Sequence, residues 1–468
     1  MVSQQSGKPI VKIRIDEVGA KNDGTTNNAS IIQSAIDKVA ASGGGQVVIP
    51  SGGIYLSGSL ALKAHVDLHL EIGATLRASS DYDDYTPEHN IKNLTNGEVD
   101  EFVLPQRAFI SGFRAHSARI SGDGTIDGNA DGFIAERGQY IHKMRGPIGG
   151  KDQYLERPFT VFLIESENLI LRDFTIKDPA FWALRTTGCN HLLIDGIRIL
   201  TDLMVPNADG VDIDRCQDVR IVNSEFVTAD DCISLKSCSQ TAQYGDVADI
   251  VIANCIFTST SGAITLGTES VGDIKNVLVN NCIVKNSHRG FAVRAREGGT
   301  ISNVRFSNSI VQTRTFSDMW WGHGEALHVT AFSWDDPAKG TDGNIERTYE
   351  GYVKDIVFEN ITCTTEAGIL NYAAHPGLIQ GVVYRNVDVF LEKSSKWDSR
   401  IDLRPNGIVS VLHRKHNGFE VVNTTDLTLD NCRVIFDSTS REQYGAAIYQ
   451  EGSINFSSID FTERVKES

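Results

Sequence analysis

Three aspartates, Asp209, Asp230 and Asp231, stand at the ends of two successive extended segments of similar pattern. These are Asn207-Ala-Asp209-Gly-Val-Asp212-Ile-Asp214 and Thr228-Ala-Asp230-Asp231-Cys232. Where such segments stack as layers, equivalent positions lie side by side, so the 21 residues from Asp209 to Asp230 (230 − 209) do not keep the carboxylates apart. Crowded carboxylates repel one another, which raises at least one pKa and lets an acid and a base coexist near neutral pH. Cleavage of a glycosidic bond needs such a pair. The bland alternative is a solvated acidic turn, or a calcium site with Asp209, Asp212 and Asp214 along one edge. The downstream Asp-Asp pair favours catalysis for Asp209, Asp230 and Asp231, and leaves Asp212 and Asp214 undecided.

Positioning these side chains falls to an internal repeat that governs the chain beyond about residue 110. Asp218-VRIVNSEF-Val227, Asp249-IVIANCIF-Thr258, Asn276-VLVNNCIV-Lys285 and Asn303-VRFSNSIV-Gln312 share a short alternating strand, a polar pair at a bend and a second alternating strand. The register advances 31, 27 and 27 residues (219→250→277→304), and widens between 304 and 356, where a long loop is inserted. Period-two strands with turn residues at fixed offsets predict an all-β fold, a parallel β-helix in which no coil can bury its inner face alone. Asn254, Asn281 and Asn431 fall at the bends, where asparagine tolerates the left-handed region and forms side-chain ladders. Before the coils, Ser30 to Ala41 places Ile31, Ala35, Ile36 and Val39 at helical spacing, and Gly43 to Gly45 ends the run. An amphipathic helix there is the expected cap for the open end of a solenoid. With no linker evident, the expectation is one domain over 1–468, with the cap and first strands in 1–60 and the main coils in about 110–440.

The net charge of −16 argues against nucleic acid as a partner, and no apolar run approaches membrane-spanning length. The eight cysteines show no CxxC pair. Five of them, Cys216, Cys255, Cys282, Cys363 and Cys432, fall at or beside predicted strands and read as small apolar core residues, while Cys232 and Cys238 are close enough in sequence for a bridge in an oxidising compartment. The start, Met1 to Lys8, has neither a basic nor an apolar leader region. The protein is thus expected to be cytoplasmic if it begins natively at Met1, and secreted or periplasmic if a leader has been removed.

Ile120-SGDGTIDG-Asn129, Pro206-NADGVDID-Arg215 and Thr228-ADDCISLKS-Cys238, in this order, resemble the motifs of glycoside hydrolase family 28, the polygalacturonase and rhamnogalacturonan hydrolase family. The resemblance extends over nearly the whole chain. It implies a right-handed parallel β-helix and an inverting hydrolase of α-linked, uronate-containing pectic chains that needs no metal or organic cofactor. Asn207-Ala208-Asp209 occupies the family's Asn-Thr-Asp motif, and Asp230-Asp231 its Asp-Asp pair. The implied roles are general acid for Asp230 and water-activating bases for Asp209 and Asp231. An inverting site holds its carboxyl groups roughly 6.5–9.5 Å apart. Adjacent aspartates on a regular strand point to opposite faces, so a bend or bulge is expected at Asp230–Asp231.

The chain departs from the family where polygalacturonases carry Gly-His-Gly, since Leu266 to Gly272 offers no histidine but does hold Glu269. On the next coil, Arg294 and Arg296 stand where the family has Arg-Ile-Lys, and either could clamp a substrate carboxylate. A shifted alignment places Arg294 alone at the lysine position. Lys236 and His288-Arg289 add positive charge. Trp320 and Trp321, flanked by glycine, suit a sugar-stacking wall or, equally, a plug packing a loop. His323 is a candidate substitute for the missing histidine. Arg157, Phe181 and Trp182 lie on upstream coils, where they would close one end and favour exo action. The rivals are a hydrolase of rhamnogalacturonan or another acidic glycan, and, from a different class, a non-catalytic carbohydrate-binding β-helix.

Overall fold

The repeated strands pair in the register that their spacing predicts: Val219 with Ile250, Ile250 with Val277, and Val277 with Val304. The computed structural model describes residues 11–86, 107–137, 145–147, 157–317, 320–333, 350–405 and 411–466. Its coils form a right-handed parallel β-helix. The two strands flanking each bend enter a 24-stranded sheet, and a third strand enters a separate 12-stranded sheet. Alternation sets the faces, so Val219 and Ile221 are fully buried while Arg220 between them is exposed. Inward aromatics stack from coil to coil, with Phe306, Phe358 and Tyr384 at 5.0 and 4.9 Å centroid spacing. One buried apolar cluster runs from Ile15 to Ala447.

The bend asparagines form the expected ladder. Asn281 donates to Asn254 and Asn254 to Asn223 at 2.7 and 3.1 Å, while Asn431, Asn386, Asn360 and Asn308 continue it further along. Each of these residues has φ between 51 and 58°, which a side chain with a β-carbon adopts only at a cost. Asn281→Ala is accordingly expected to destabilise the fold by ~1–2 kcal/mol, and Asn281→Gly by less, both measured from urea unfolding.

The helix α1 (Ala29–Ala41) forms as expected, but Ile32, not Ile31, joins Ala35, Ile36 and Val39 in the core. Only the set 32, 35, 36, 39 follows the i, i+3, i+4, i+7 stripe that faces one side. A bridge between Cys232 and Cys238 does not form, and all eight cysteines are free and buried. The two residues lie at opposite ends of strand Ile233–Ser237, which spans roughly 15 Å or more. Among the described residues no helix is long and apolar enough to cross a membrane.

Six consecutive strands of the 12-stranded sheet carry the site: β1 (Leu184–Thr187), β2 (Val211–Asp214), β3 (Ile233–Ser237), β4 (Gly262–Ser270), β5 (Arg289–Ala295) and β6 (Leu327–Ala331). Their outward side chains are buried as well, with the carbonyls of Arg404 and Pro405 set against Arg294 and Arg296. Of the inserted loop, Trp320 to Ser333 is described, whereas Met319 and Trp334 lie outside the described residues, as does most of the segment from Arg137 to Arg157.

Candidate active site

Leu184 pairs with Val211, Val211 with Ile233, Ile233 with Ile264, Ile264 with Phe291, and Phe291 with Leu327. Two residues before each of these, the same register aligns Trp182, Asp209, Asp231, Gly262, Arg289 and Glu325 in one column at the mouths of β1 to β6. Backbone bonds fix the column: Gly210 N–H donates to the Asp231 carbonyl, and Cys232 N–H to that of Gly262, both at 2.9 Å. Asp209 and Asp231 are therefore neighbours across one interstrand step. The expected distortion at Asp230–Asp231 is the corner between Glu225–Thr228 in the long sheet and β3 in the other. Ser259 Oγ donates to the Asp230 carbonyl at 2.7 Å, and Asp231 N–H to Asp230 Oδ1 at 3.1 Å.

Exposure separates the acidic residues into two groups. Asp209, Asp230 and Asp231 keep 4, 8 and 9% of their surface, whereas Asp212 and Asp214 keep none. Asp214 is a structural ion: it accepts from Arg185 at 3.0 Å, Thr241 Oγ1 at 2.9 Å and the Cys238 N–H at 3.2 Å. Asp212 faces Lys236 Nζ at 3.4 Å, and Glu269 approaches the same ammonium at 3.6 Å. Lys236 also lies over the Trp182 ring, 4.3 Å from its centroid. Cations thus already stand against both Asp212 and Asp214, where the calcium alternative would put a metal. Among the described residues no group of three or more His, Cys, Asp or Glu side chains is placed to hold a metal ion.

Burial, then the carboxylates of Asp230 and Asp212, push the Asp209 pKa well above the ordinary range, with Lys236 opposing them. Asp212 is pushed up to about 7 by burial, eased by Lys236 and Arg185 and raised again by Glu269. The sign of the consequence is fixed. In the unfolded chain an aspartate ionises near ~3.9, so between about pH 4 and 7 the folded state holds a proton that the unfolded state has lost, and stability falls as pH rises. The urea midpoint is expected to be lower at pH 7 than at pH 5, and Asp212→Asn to flatten that slope.

Asp231 belongs to a second network. Ser261 Oγ donates to Asp231 Oδ1 at 2.9 Å and accepts from Arg289 and from Trp320 Nε1, both at 3.0 Å. Arg289 itself lies 3.5 Å from Asp231 Oδ1. Trp320 stacks on Trp321 at 5.2 Å, and the Arg294 guanidinium lies 5.7 Å from the Trp321 ring, so the tryptophan pair borders this network. Arg294 donates to the Arg404 carbonyl and keeps Nε unpartnered. Arg296 differs, because all three of its nitrogens donate to protein oxygens of Ala295, Thr330 and Pro405. His323 is turned to the Asp398 carbonyl at 2.7 Å, and burial lowers its pKa to about 4. The residue in register beyond Asp231 is Gly262, while Glu269 sits at the far end of β4 beside Lys236. On the upstream side Arg157 donates to the Ala180 carbonyl at 2.9 Å and to Asn207 Oδ1 at 3.4 Å, with its guanidinium over Phe181.

An apolar cluster of Phe159, Phe162, Phe181 and Trp182 borders one side of the polar strip, and one of Phe332, Leu370, Ile401 and Leu403 the other. Between them, buried atoms without a hydrogen-bond partner accumulate: Asp209 Oδ1, both Asp212 oxygens, Ser234 Oγ, Thr265 Oγ1, Arg289 Nε and NH1, Glu325 Oε1 and His328 Nδ1. Buried polar groups are normally satisfied, so such a concentration marks a place for a polar ligand and water. Sequence reasoning missed Arg185, Ser261, Glu325 and His328. The available signal is the third strand of each coil, which falls between the repeated segments and does not share their pattern.

The arrangement sets carboxylates that can exchange protons beside cations that can hold an anion, within a frame of aromatic rings. The model of glycosyl hydrolases family 28 matches residues 40–316. A probable polygalacturonase of Vitis vinifera is 31% identical over 47% of this chain and 43% of its own length. An exo-poly-alpha-D-galacturonosidase of Dickeya chrysanthemi is 27% identical over 55% and 48%. The chain spans about half the length of these curated relatives. The solved structure of the Yersinia enterocolitica family 28 exopolygalacturonase shares the fold at a TM-score of 0.67 and 20% identity, covering 99% of this chain and 80% of that one. With its family model matched over more than half its length, this chain belongs to glycosyl hydrolases family 28.

Proposed function

We propose that this protein is an inverting glycoside hydrolase that removes residues from the ends of α-linked, uronate-containing pectic chains. One observation carries the reading: Asp209, Asp230 and Asp231 converge at one corner of adjacent coils, each nearly buried yet still reachable. Asp230 donates its proton to the glycosidic oxygen as the bond to the anomeric carbon breaks. Water attacks that carbon from the opposite face and passes its proton to the Asp209–Asp231 pair, which inverts the configuration. Lys236 and Arg294 supply positive charge for a substrate carboxylate, and Trp320 and Trp321 a stacking surface. The exo mode is supported by the two apolar borders of the strip, by the cover over the site sheet and by the likeness to the Dickeya exo-poly-alpha-D-galacturonosidase. Asn207, held by Arg157, stands on the upstream side. We read the whole chain as one unit built on this solenoid.

Anomer-resolved NMR of products from polygalacturonate, oligogalacturonides and rhamnogalacturonan fragments tests the proposal. Monosaccharide of inverted configuration from the galacturonides is the expected result. Retained configuration would refute the mechanism, and a ladder of oligomers the exo mode. A second reading, cleavage of rhamnogalacturonan or another acidic glycan, is favoured by one observation, that glycine and not histidine stands in register beyond Asp231.

A further inference from the structure

In the column of side chains at the strand mouths, Asp231 and Arg289 are two coils apart, yet they are in contact. Two interstrand steps are about 9.6 Å, a distance that an arginine and an aspartate bridge only if nothing stands between them. Gly262 is the residue between. A β-carbon there would lie 2.7 Å from Asp231 Oδ1 and 2.7 Å from Thr265 Oγ1, so any side chain closes the lane. On its other side the arginine stem rests against Gly322, whose φ is 90°. A β-carbon there would lie 2.5 Å from Arg289 Cδ. Two glycines therefore hold one fully buried guanidinium along the column, pointing back toward the Asp-Asp corner.

The bonds at its tip are specific. Arg289 NH2 donates to Ser261 Oγ, and so does Trp320 Nε1. With its acceptor positions taken, the hydroxyl sends its single proton to Asp231 Oδ1. The carboxylate thus receives a hydrogen bond whose direction the arginine and the indole set, and it has a cation 3.5 Å away. Arg296, two strand positions beyond Arg294, shows what a purely structural arginine looks like in this protein, since every nitrogen donates to a protein oxygen. Arg289 keeps Nε and NH1 without partners although the residue is 1% exposed.

We propose that Arg289, acting through Ser261 and across the gap at Gly262, is the positioning residue that keeps the Asp231 carboxylate aimed as a water-activating base. This rests on the hydrolytic reading above. It assigns to the glycine a definite purpose: in a column where each neighbour bears a side chain, Gly262 is the opening through which the next coil's cation reaches the base.

The test compares Arg289→Gln, Arg289→Lys and Gly262→Ala with the wild type. For Arg289→Gln, kcat on oligogalacturonides should fall by about 10²-fold, the scale for removing one preorganised charged donor, with KM changed less than threefold. Arg289→Lys should recover about tenfold of this, and Gly262→Ala should behave like Arg289→Gln, because it displaces Asp231 from the arginine. A kcat within threefold of wild type in Arg289→Gln, or a loss confined to KM, would overturn the proposal. A second measurement does not depend on turnover: thermal midpoints of Arg289→Gln, Asp231→Asn and the double variant. A double variant more stable than Arg289→Gln alone is expected, because it removes the uncompensated carboxylate. Strict additivity would deny the pairing. If the wild type cleaves no acidic glycan, the hydrolytic reading fails and the positioning role with it, while the midpoints still decide whether Arg289 and Asp231 act as a pair.

Discussion

Replacing Asp230 by Asn is expected to lower kcat on oligogalacturonides by roughly 10³-fold or more while substrate binding stays within a few-fold. General acid–base catalysis by one positioned group is worth about 10²–10⁴ in rate, and a poor leaving group such as a sugar hydroxyl draws on the upper part of that range. The amide has the size of the carboxylic acid and keeps an oxygen for the Asp231 N–H, which now meets Asp230 Oδ1 at 3.1 Å. It cannot deliver a carboxyl proton. The loss should therefore appear in kcat, with affinity measured by calorimetry left nearly intact. Loss of affinity in step with kcat would place Asp230 in binding or folding instead. Undiminished turnover would remove it from the reaction.

Arg185→Met is expected to destabilise the fold by ~3–5 kcal/mol, the usual consequence of stripping one partner from a buried ion pair. Arg185 and Asp214 are both fully buried, 3.0 Å apart. The guanidinium is also enclosed by rings of Phe159, Phe162 and Trp182 at 5.0 to 5.7 Å. Methionine fills much of the volume but leaves Asp214 with only neutral donors from Thr187, Thr241 and the Cys238 amide. Urea unfolding should show the drop, and adding Asp214→Asn should recover most of it by removing the stranded charge. An unchanged midpoint in the single variant would mean that the pair contributes nothing net. Asp214 thus serves the floor beneath the site, although it shares a motif with Asp209.

Much of the fold was legible because a solenoid writes its register into residue spacing. The steps 219→250→277→304 are the pairings themselves, and the bend asparagines gave away their left-handed turns. Helix α1 is visible in the sequence, but its buried face is not fixed there, since Ile31 and Ile32 are equally apolar and only packing selects Ile32. The convergence of Asp209 with Asp230 and Asp231 could be read from the repeat. The fate of the basic residues could not. Arg294 and Arg296 are alike as letters two apart; each takes a carbonyl, of Arg404 and Pro405, from more than 100 residues away, but only Arg296 also finds oxygens of Ala295 and Thr330 for its remaining nitrogens. Glu269 is the conspicuous side chain on its coil, yet it sits at the far end of the strand beside Lys236, and His323, the candidate for the missing histidine, is turned to the Asp398 carbonyl. The register shows instead that the position beyond Asp231 belongs to a glycine, which sequence reasoning passes over because it has no side chain to assign.

The segment that supplies those carbonyls also orders the assembly of the protein in time. Arg404 reaches Arg294 and Trp320, and Asp398 reaches His323, across 110, 84 and 75 residues. At ribosomal speeds of about 5–20 residues per second, the acidic corner is laid down several seconds before the chain that ties off the basic side emerges. During that interval the nascent protein carries every carboxylate of the site but an unfinished cationic wall. A chain shortened before residue 400 would stay in that condition permanently, its Asp209, Asp230 and Asp231 complete while Arg294 lacks the Arg404 carbonyl and Arg296 that of Pro405.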